Sequence, residues 1–292
     1  MGVQKINFIT YGNREFLIQK NHLINLAKKS EFFDYCVSYS PKDLSGQFKK
    51  QFSEILSEKR GGGYWIWKYF ILNDSFENMN LNDILVYSDS GSSFNNKGEA
   101  RFKYYIDELN SSDKGTLRFK MDFVENQWTT KEIFNYFDIN PESSHGKSGQ
   151  FHATHMIFKK NENSLEILNS FKELLNKDPY LITDKYNENG QIDSFKDNRH
   201  DQSILSLLSK IYGCVEITKD ETCMSEILED QENYPFLSTR RRYTFWQKIR
   251  FLLFYFYYIN QTLFFNQRDF WFQRPSLKDK IIYHYRKLKN NP

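Results

Sequence analysis

The sequence predicts an α/β fold: a single mixed, mainly parallel sheet flanked by helices, with a basic, aromatic, helical appendage at the C-terminus. Three observations predict it. A strand–helix–strand unit opens the chain, an apolar run, Ile84-Leu85-Val86-Tyr87, drives straight into Ser88-Asp89-Ser90-Gly91-Ser92, and cations gather at the C-terminal end. A βαβ unit of this spacing feeds a parallel sheet. In open α/β sheets the ligand crevice lies outside the carboxyl ends of the strands. Asp, Ser and Gly are also ordinary turn residues, so the 83–94 stretch taken alone reads as a strand and its turn.

The elements follow in order. Lys5–Tyr11 reads as the first strand, ending at Gly12-Asn13, and Phe16, Leu23, Ile24 and Ala27 trace the face of a helix. Tyr35–Ser40 is the second strand, closed by Pro41. Ile84–Asp89 and Thr116–Lys120 are further strands, and Gly149–Lys160 reads as one long strand. Leu165, Leu168, Phe171 and Leu175 mark a helix, with Asn163 and Glu166 at capping-box spacing. Ile204, Leu207, Leu208 and Ile211 mark another, stopped by Gly213, and Cys214–Thr218 is a short returning strand. The polar stretch 184–200 carries little periodicity. A loop this long is either functional or a tolerated insertion, and because it runs into His200-Asp201-Gln202 it reads as a lid or acceptor loop.

At 292 residues the chain fits one large domain with an appendage, divided near Pro235 into a body, 1–235, and a tail, 236–292. Aromatic residues make up 17% of it, which argues for a globular rather than a disordered chain. Cys36, Cys214 and Cys223 lack CxxC spacing and form neither a zinc site nor a disulfide framework, so a reducing, cytoplasmic compartment is expected. No secretory signal opens the chain, and no apolar run approaches the ~20 residues of a membrane span. From Arg240 onward 12 Lys and Arg face 2 Asp and Glu, a local charge of +10, which leaves −7 on the first 239 residues. An acidic-leaning body thus carries a basic end suited to an anionic surface.

Four stretches carry a resemblance: Thr10-Tyr11-Gly12, "RGGGYWIWKYFIL" (60–72), "VYSDSGS" (86–92) and "RHDQSILSLL" (199–208). Together they resemble the GT-A nucleotide-sugar glycosyltransferases, in particular bacterial and viral enzymes of surface-polysaccharide synthesis that carry a "GYWIWK" segment. The resemblance spans roughly residues 5–217, and "GYWIWK" and "HDQSIL" are its specific parts. It implies a Rossmann-like GT-A fold. It also implies transfer of a hexose from a nucleotide sugar, UDP-galactose or UDP-glucose in type, to a saccharide acceptor. "HDQSIL" resembles the helix start of the glycogenin-like and lipooligosaccharide galactosyltransferase group. In that likeness Asp201 grips donor-sugar hydroxyls, Gln202 faces the anomeric carbon, and transfer retains configuration. In inverting GT-A enzymes an acid in this region deprotonates the acceptor hydroxyl instead. Asp201 also reads simply as an acid in a helix's first turn.

Each stretch has a chemical use. Thr10, Tyr11 and Gly12 suit a nucleoside, with Tyr11 either stacking on the base or packing at the sheet end. Arg60 and Lys68 flank three glycines that permit close backbone approach, and Lys68 suits ribose or diphosphate as a point charge. Trp65 and Trp67 read as core. The glycines lack both the P-loop and the G-x-G-x-x-G pattern, which argues against an NTPase or a dehydrogenase. Asp89 and Ser90 stand at the strand end where the family places Asp-x-Asp. Here the second carboxylate is replaced by Gly91, so Asp89 holds Mn²⁺ or Mg²⁺ alone, with diphosphate oxygens and water, or binds ribose only.

His152 and His155, three apart on one strand, are expected on opposite faces, with His152 against the sugar or acceptor. Asp122, Glu125 and Trp128 stand where an acceptor loop begins. The tail mixes Arg and Lys with Trp, Phe and Leu, as interfacial helices do. With a lipid-linked saccharide as acceptor, it is expected to bind an anionic membrane peripherally at the inner face. Nucleic acid uses similar residues and ranks below. The rival to an enzyme is a non-catalytic module binding a sugar nucleotide or nucleic acid on the same fold.

Overall fold

The computed structural model of the protein describes residues 3–222 and 233–239. The tail from 240 to 292, and with it the membrane-binding expectation, lies outside the described residues. Nine strands are described: β1 (Ile6–Tyr11), β2 (Tyr35–Tyr39), β3 (Ile84–Ser88), β4 (Ser93–Phe94), β5 (Thr116–Val124), β6 (Gly149–Phe151), β7 (His155–Lys159), β8 (Val215–Ile217) and β9 (Phe236–Leu237). The longer helices are α1 (Leu17–Ser30), α2 (Trp67–Glu77), α3 (Glu99–Asn110), α4 (Glu162–Lys177) and α5 (Asp201–Tyr212).

Seven strands form one mixed sheet in the order β2-β1-β3-β7-β5-β6, with β8 on β5. β1, β2 and β3 pair in parallel, β7 is antiparallel to both β3 and β5, β6 is antiparallel to β5, and β8 is parallel to β5. β1, β2, β3, β5 and β8 therefore point the same way, and their carboxyl ends share one edge.

Alternation along the central strands splits the core between the two faces. Leu85 and Tyr87 of β3 join Ile9, Met156 and Phe158 beneath α2, α4 and α5. Ile84 and Val86 join Phe8, Leu117 and Ile157 beneath α1 and α3. The result is a helix–sheet–helix sandwich.

Three local expectations are corrected. Gly149–Lys160 is not one strand but β6 and β7, interrupted at His152-Ala153-Thr154. The box capping α4 is made by Asn161 and Ser164 rather than Asn163 and Glu166. Asn163 instead accepts from Gly115 N and donates to Tyr212 O, tying α4 to its neighbours. The third concerns Gly61-Gly62-Gly63-Tyr64-Trp65, five consecutive residues with φ between 49° and 96°. A left-handed turn costs L-residues roughly 1–2 kcal/mol each, and this explains the three glycines. A Cβ on Gly63 would stand 2.8 Å from the Leu56 Cα. The glycines thus serve the chain's own packing and launch α2.

Past Pro235, β9 pairs antiparallel with β4, and Phe236 is buried among Phe94, Phe102, Tyr105 and Phe119. Residues 236–239 pack on the body. No helix among the described residues is long and apolar enough to cross a membrane.

Candidate active site

The carboxyl edge of β3 meets the N-termini of α2 and α5 around one buried ammonium. Lys68, in the first turn of α2, is 1% exposed. Its Nζ lies 2.5 Å from Asp201 Oδ2 and 3.4 Å from Asp89 Oδ1 and donates to Ala153 O at 3.0 Å. The ring of Tyr87 lies beneath it, 4.7 Å away. The Tyr87 hydroxyl donates to Asp89 Oδ1 at 2.5 Å. The two carboxylates differ in access. Asp201 is buried, whereas the Asp89 side chain is 34% exposed and forms the open side of the cluster.

Burial pushes the Asp201 carboxyl up to about 6, against the pull of the Lys68 ammonium. Two carboxylates and one ammonium leave a net charge of −1 above that value. Lys68 is therefore engaged inside the cluster, between Asp201 and Asp89, and not held out as the point charge expected for ribose or diphosphate.

The break between β6 and β7 makes the cluster possible. A strand interruption frees backbone groups that must find other partners. Ala153 N donates to Gln202 Oε1 at 3.3 Å instead of to a neighbouring strand, while Ala153 O accepts from Lys68. Thr154 O accepts from Asp89 N at 2.9 Å, and His152 O accepts from the buried Arg118 at 3.0 Å. Three candidate residues from three distant segments, Lys68, Asp89 and Gln202, thus meet on the backbone of Ala153 and Thr154.

Asp201 is the first residue of α5, and His200 before it has φ 58° and ψ −122°. Such a backbone costs a non-glycine residue on the order of 1–3 kcal/mol and is held from several sides. His200 Nδ1 bonds Ile182 O at 2.9 Å, and its ring stacks on Trp65 at 5.3 Å. Burial lowers the imidazole to about 4, so it is neutral.

The loop 184–200 is fastened rather than open. Arg60 reaches Asp184 at 2.7 Å and Asp197 at 3.0 Å, and Asn198 donates to Leu181 O and Thr183 O. Arg60 thus belongs to the loop's anchorage and is not brought to Lys68.

The remaining candidates divide. One face of Tyr11 is taken by Trp67, with centroids 3.8 Å apart and planes at 14°, and both rings are buried. Thr10 is buried in β1, Gly12 N is bonded to Tyr39 O, and Ser90 is buried in the turn after Asp89. His152 and His155 do not take opposite faces of one strand: their rings meet edge to face at 6.0 Å. His152 stacks on Phe119, and its Nε2 lies 3.2 Å from Thr222 Oγ1, so it lines the interior. Glu125 is fully buried and is no acceptor-loop residue, whereas Asp122 is exposed. Sequence reasoning missed Ala153, Tyr87 and Gln150 at the site. The "YSD" run held the signal for Tyr87, since a residue two before Asp89 shares its face of the strand.

Among the described residues no group of three or more His, Cys, Asp or Glu converges as a metal cage. Asp89 still suits a divalent ion that draws its other ligands from a substrate. Its half-buried carboxylate stands at the open side of a cluster of net charge −1, where an anionic ligand requires added positive charge.

No protein-family model matches the chain, and no curated protein matches it. Similar solved structures include a glycosyltransferase involved in glycosylation of the major capsid of PBCV-1, at 12% identity over 80% of this chain and 93% of that one, TM-score 0.45. Mouse xyloside xylosyltransferase 1 aligns at 10% identity over 75% and 86%, TM-score 0.42. The galactosyltransferase LgtC, solved with donor and acceptor sugar analogs, aligns at 10% over 78% and 82%, TM-score 0.40. At these identities and scores no residue's role passes from those proteins to this chain.

Proposed function

We propose that the protein is a glycosyltransferase that moves a hexose from a nucleotide sugar, UDP-galactose or UDP-glucose in type, to a saccharide acceptor with retention of configuration. The observation that carries the proposal is the convergence of Asp89, Lys68, Asp201 and Gln202 at the carboxyl edge of the parallel strands, where open α/β sheets bind ligands. The buried ion pair supports a positioning role. Lys68 holds Asp201 in place, so the carboxylate presents fixed acceptors to sugar hydroxyls rather than serving as a free base for the acceptor. This is the feature that favours retention over inversion. Gln202, one residue on, offers an amide beside the same sugar.

Asp89, at the exposed side, would hold Mn²⁺ or Mg²⁺ through one carboxylate. Such an ion, when bound, offsets the charge on the departing diphosphate. The setting we propose is surface-polysaccharide synthesis, of capsule or lipopolysaccharide, at the cytoplasmic face of a membrane. The acceptor would be lipid-linked, and the basic tail would serve as the peripheral anchor.

The test is donor hydrolysis and transfer across a panel of nucleotide sugars, with the wild-type protein, Asp201→Ala and Gln202→Ala. Loss of a contact made in the transition state costs on the order of 2–4 kcal/mol. The two variants should lose kcat accordingly and keep UDP affinity. Equal losses in rate and in UDP affinity would place them on the nucleotide. Binding of UDP by a wild-type protein that turns over no donor would identify a non-catalytic binding module.

A further inference from the structure

Glu125 is fully buried and opens the single helical turn Glu125–Trp128 after β5. Four groups face its carboxylate. The Lys210 ammonium lies 2.8 Å away, Thr129 Oγ1 donates at 2.7 Å, Gln150 Nε2 donates at 2.8 Å, and the Ser206 hydroxyl donates as well. Gln150, also fully buried, then accepts from Gln202 Nε2 at 2.6 Å through its own Oε1. Gln202 Oε1 is left to Ala153 N.

This chain has only one consistent polarity. A carboxylate accepts and does not donate, so Gln150 must turn its NH₂ to Glu125 and its oxygen to Gln202. Gln202 must in turn offer its NH₂ to Gln150. Flipping Gln202 alone would set two carbonyl oxygens 2.6 Å apart and an NH₂ against the Ala153 N–H. Flipping both amides would set the Gln150 oxygen against the carboxylate. Each alternative leaves buried polar groups unpaired and is disfavoured for that reason.

We propose that Glu125 and Gln150 are positioning residues that fix the orientation of the Gln202 carboxamide, the charge on Glu125 being transmitted through two amides to the site. The proposal takes the catalytic importance of that orientation from the glycosyltransferase reading above. The chain itself stands on geometry alone.

The decisive readout needs no donor. In the full chain selectively ¹⁵N-labelled at glutamine, Gln202→Glu identifies the Gln202 side-chain NH₂ signal by deleting it. In the wild type that signal should exchange with solvent at least about tenfold more slowly than exposed glutamines. Gln150→Met, which spares the Lys210–Glu125 pair, should return it to the exposed-glutamine rate with the backbone spectrum preserved. Glu125→Gln, isosteric but uncharged, should slow exchange less than the wild type does. A wild-type signal that exchanges freely, or one unchanged in folded Gln150→Met, overturns the proposal.

With a donor in hand, Gln150→Met should lower kcat on the order of 10- to 100-fold through misplacement, leave donor KM within about twofold, and add nothing to Gln202→Ala. An unchanged kcat in a variant that has lost protection would overturn the link to catalysis. Protection as described in a wild-type protein that turns over no nucleotide sugar supports the positioning chain and removes the glycosyltransferase reading.

Discussion

Lys68 sits between two carboxylates without access to water, and its removal has a signed consequence. Lys68→Met leaves Asp201 buried and unpaired, which costs about 3–5 kcal/mol for a broken buried pair. The cost should shrink as the pH falls towards 6, because the unpaired Asp201 of the variant takes its proton at a higher pH than the paired one does. Chemical denaturation at pH 5 and pH 7.5 checks this. The Asp201 carboxyl itself, raised by burial from 3.8 to about 6, binds its proton more tightly folded than unfolded. Its contribution therefore lowers stability as pH rises between those values. A ¹³C-carboxyl titration should show one aspartate with a midpoint near 6. In Lys68→Met that midpoint should move up, because the cation that favours the charged form is gone. A downward move would contradict the pairing.

At the scale of elements, what holds the site is a turn, a break and a strained helix start. Gly63→Ala should destabilise the fold by more than the ~1 kcal/mol typical of a point substitution, because φ of 96° disfavours a side chain and the Cβ would meet the Leu56 backbone. Thermal unfolding against Gly46→Ala, where a Cβ meets nothing within 4 Å, is the control. The strands and helices were legible because apolar periodicity reports burial: Ile84–Tyr87 and the Ile204–Leu208 face are both core. Asp89, Lys68, Asp201 and Gln202 were legible as candidates from their stretches. Their meeting was not. It depends on the interruption at 152–154, and "GQFHATHMIFKK" reads as continuous strand because its alternation persists through the break. Arg60 misled because a cation beside glycines reads as a phosphate binder, while its acidic partners lie more than 120 residues away.

For the whole molecule, the composition boundary at Pro235 and the packing boundary do not coincide. Phe236 fills the core between α3 and β5. A chain ending after Pro235 should be less stable than one ending after Thr239 by roughly the 3–5 kcal/mol of a buried Phe. The same pair separates folding from anchoring. If the tail binds anionic membranes, truncation after Thr239 should abolish salt-sensitive co-sedimentation with anionic liposomes while the body stays folded. In the function we propose, the Asp89–Lys68–Asp201 cluster binds the nucleotide sugar and Asp89 is its open ligand. Calorimetric titration of UDP into the wild type and Asp89→Ala, with and without Mn²⁺, tests it most directly. The wild type should bind UDP, more tightly with Mn²⁺, and a folded Asp89→Ala should lose both the binding and its metal dependence. Equal UDP affinity in the two proteins, whatever the metal, would contradict it.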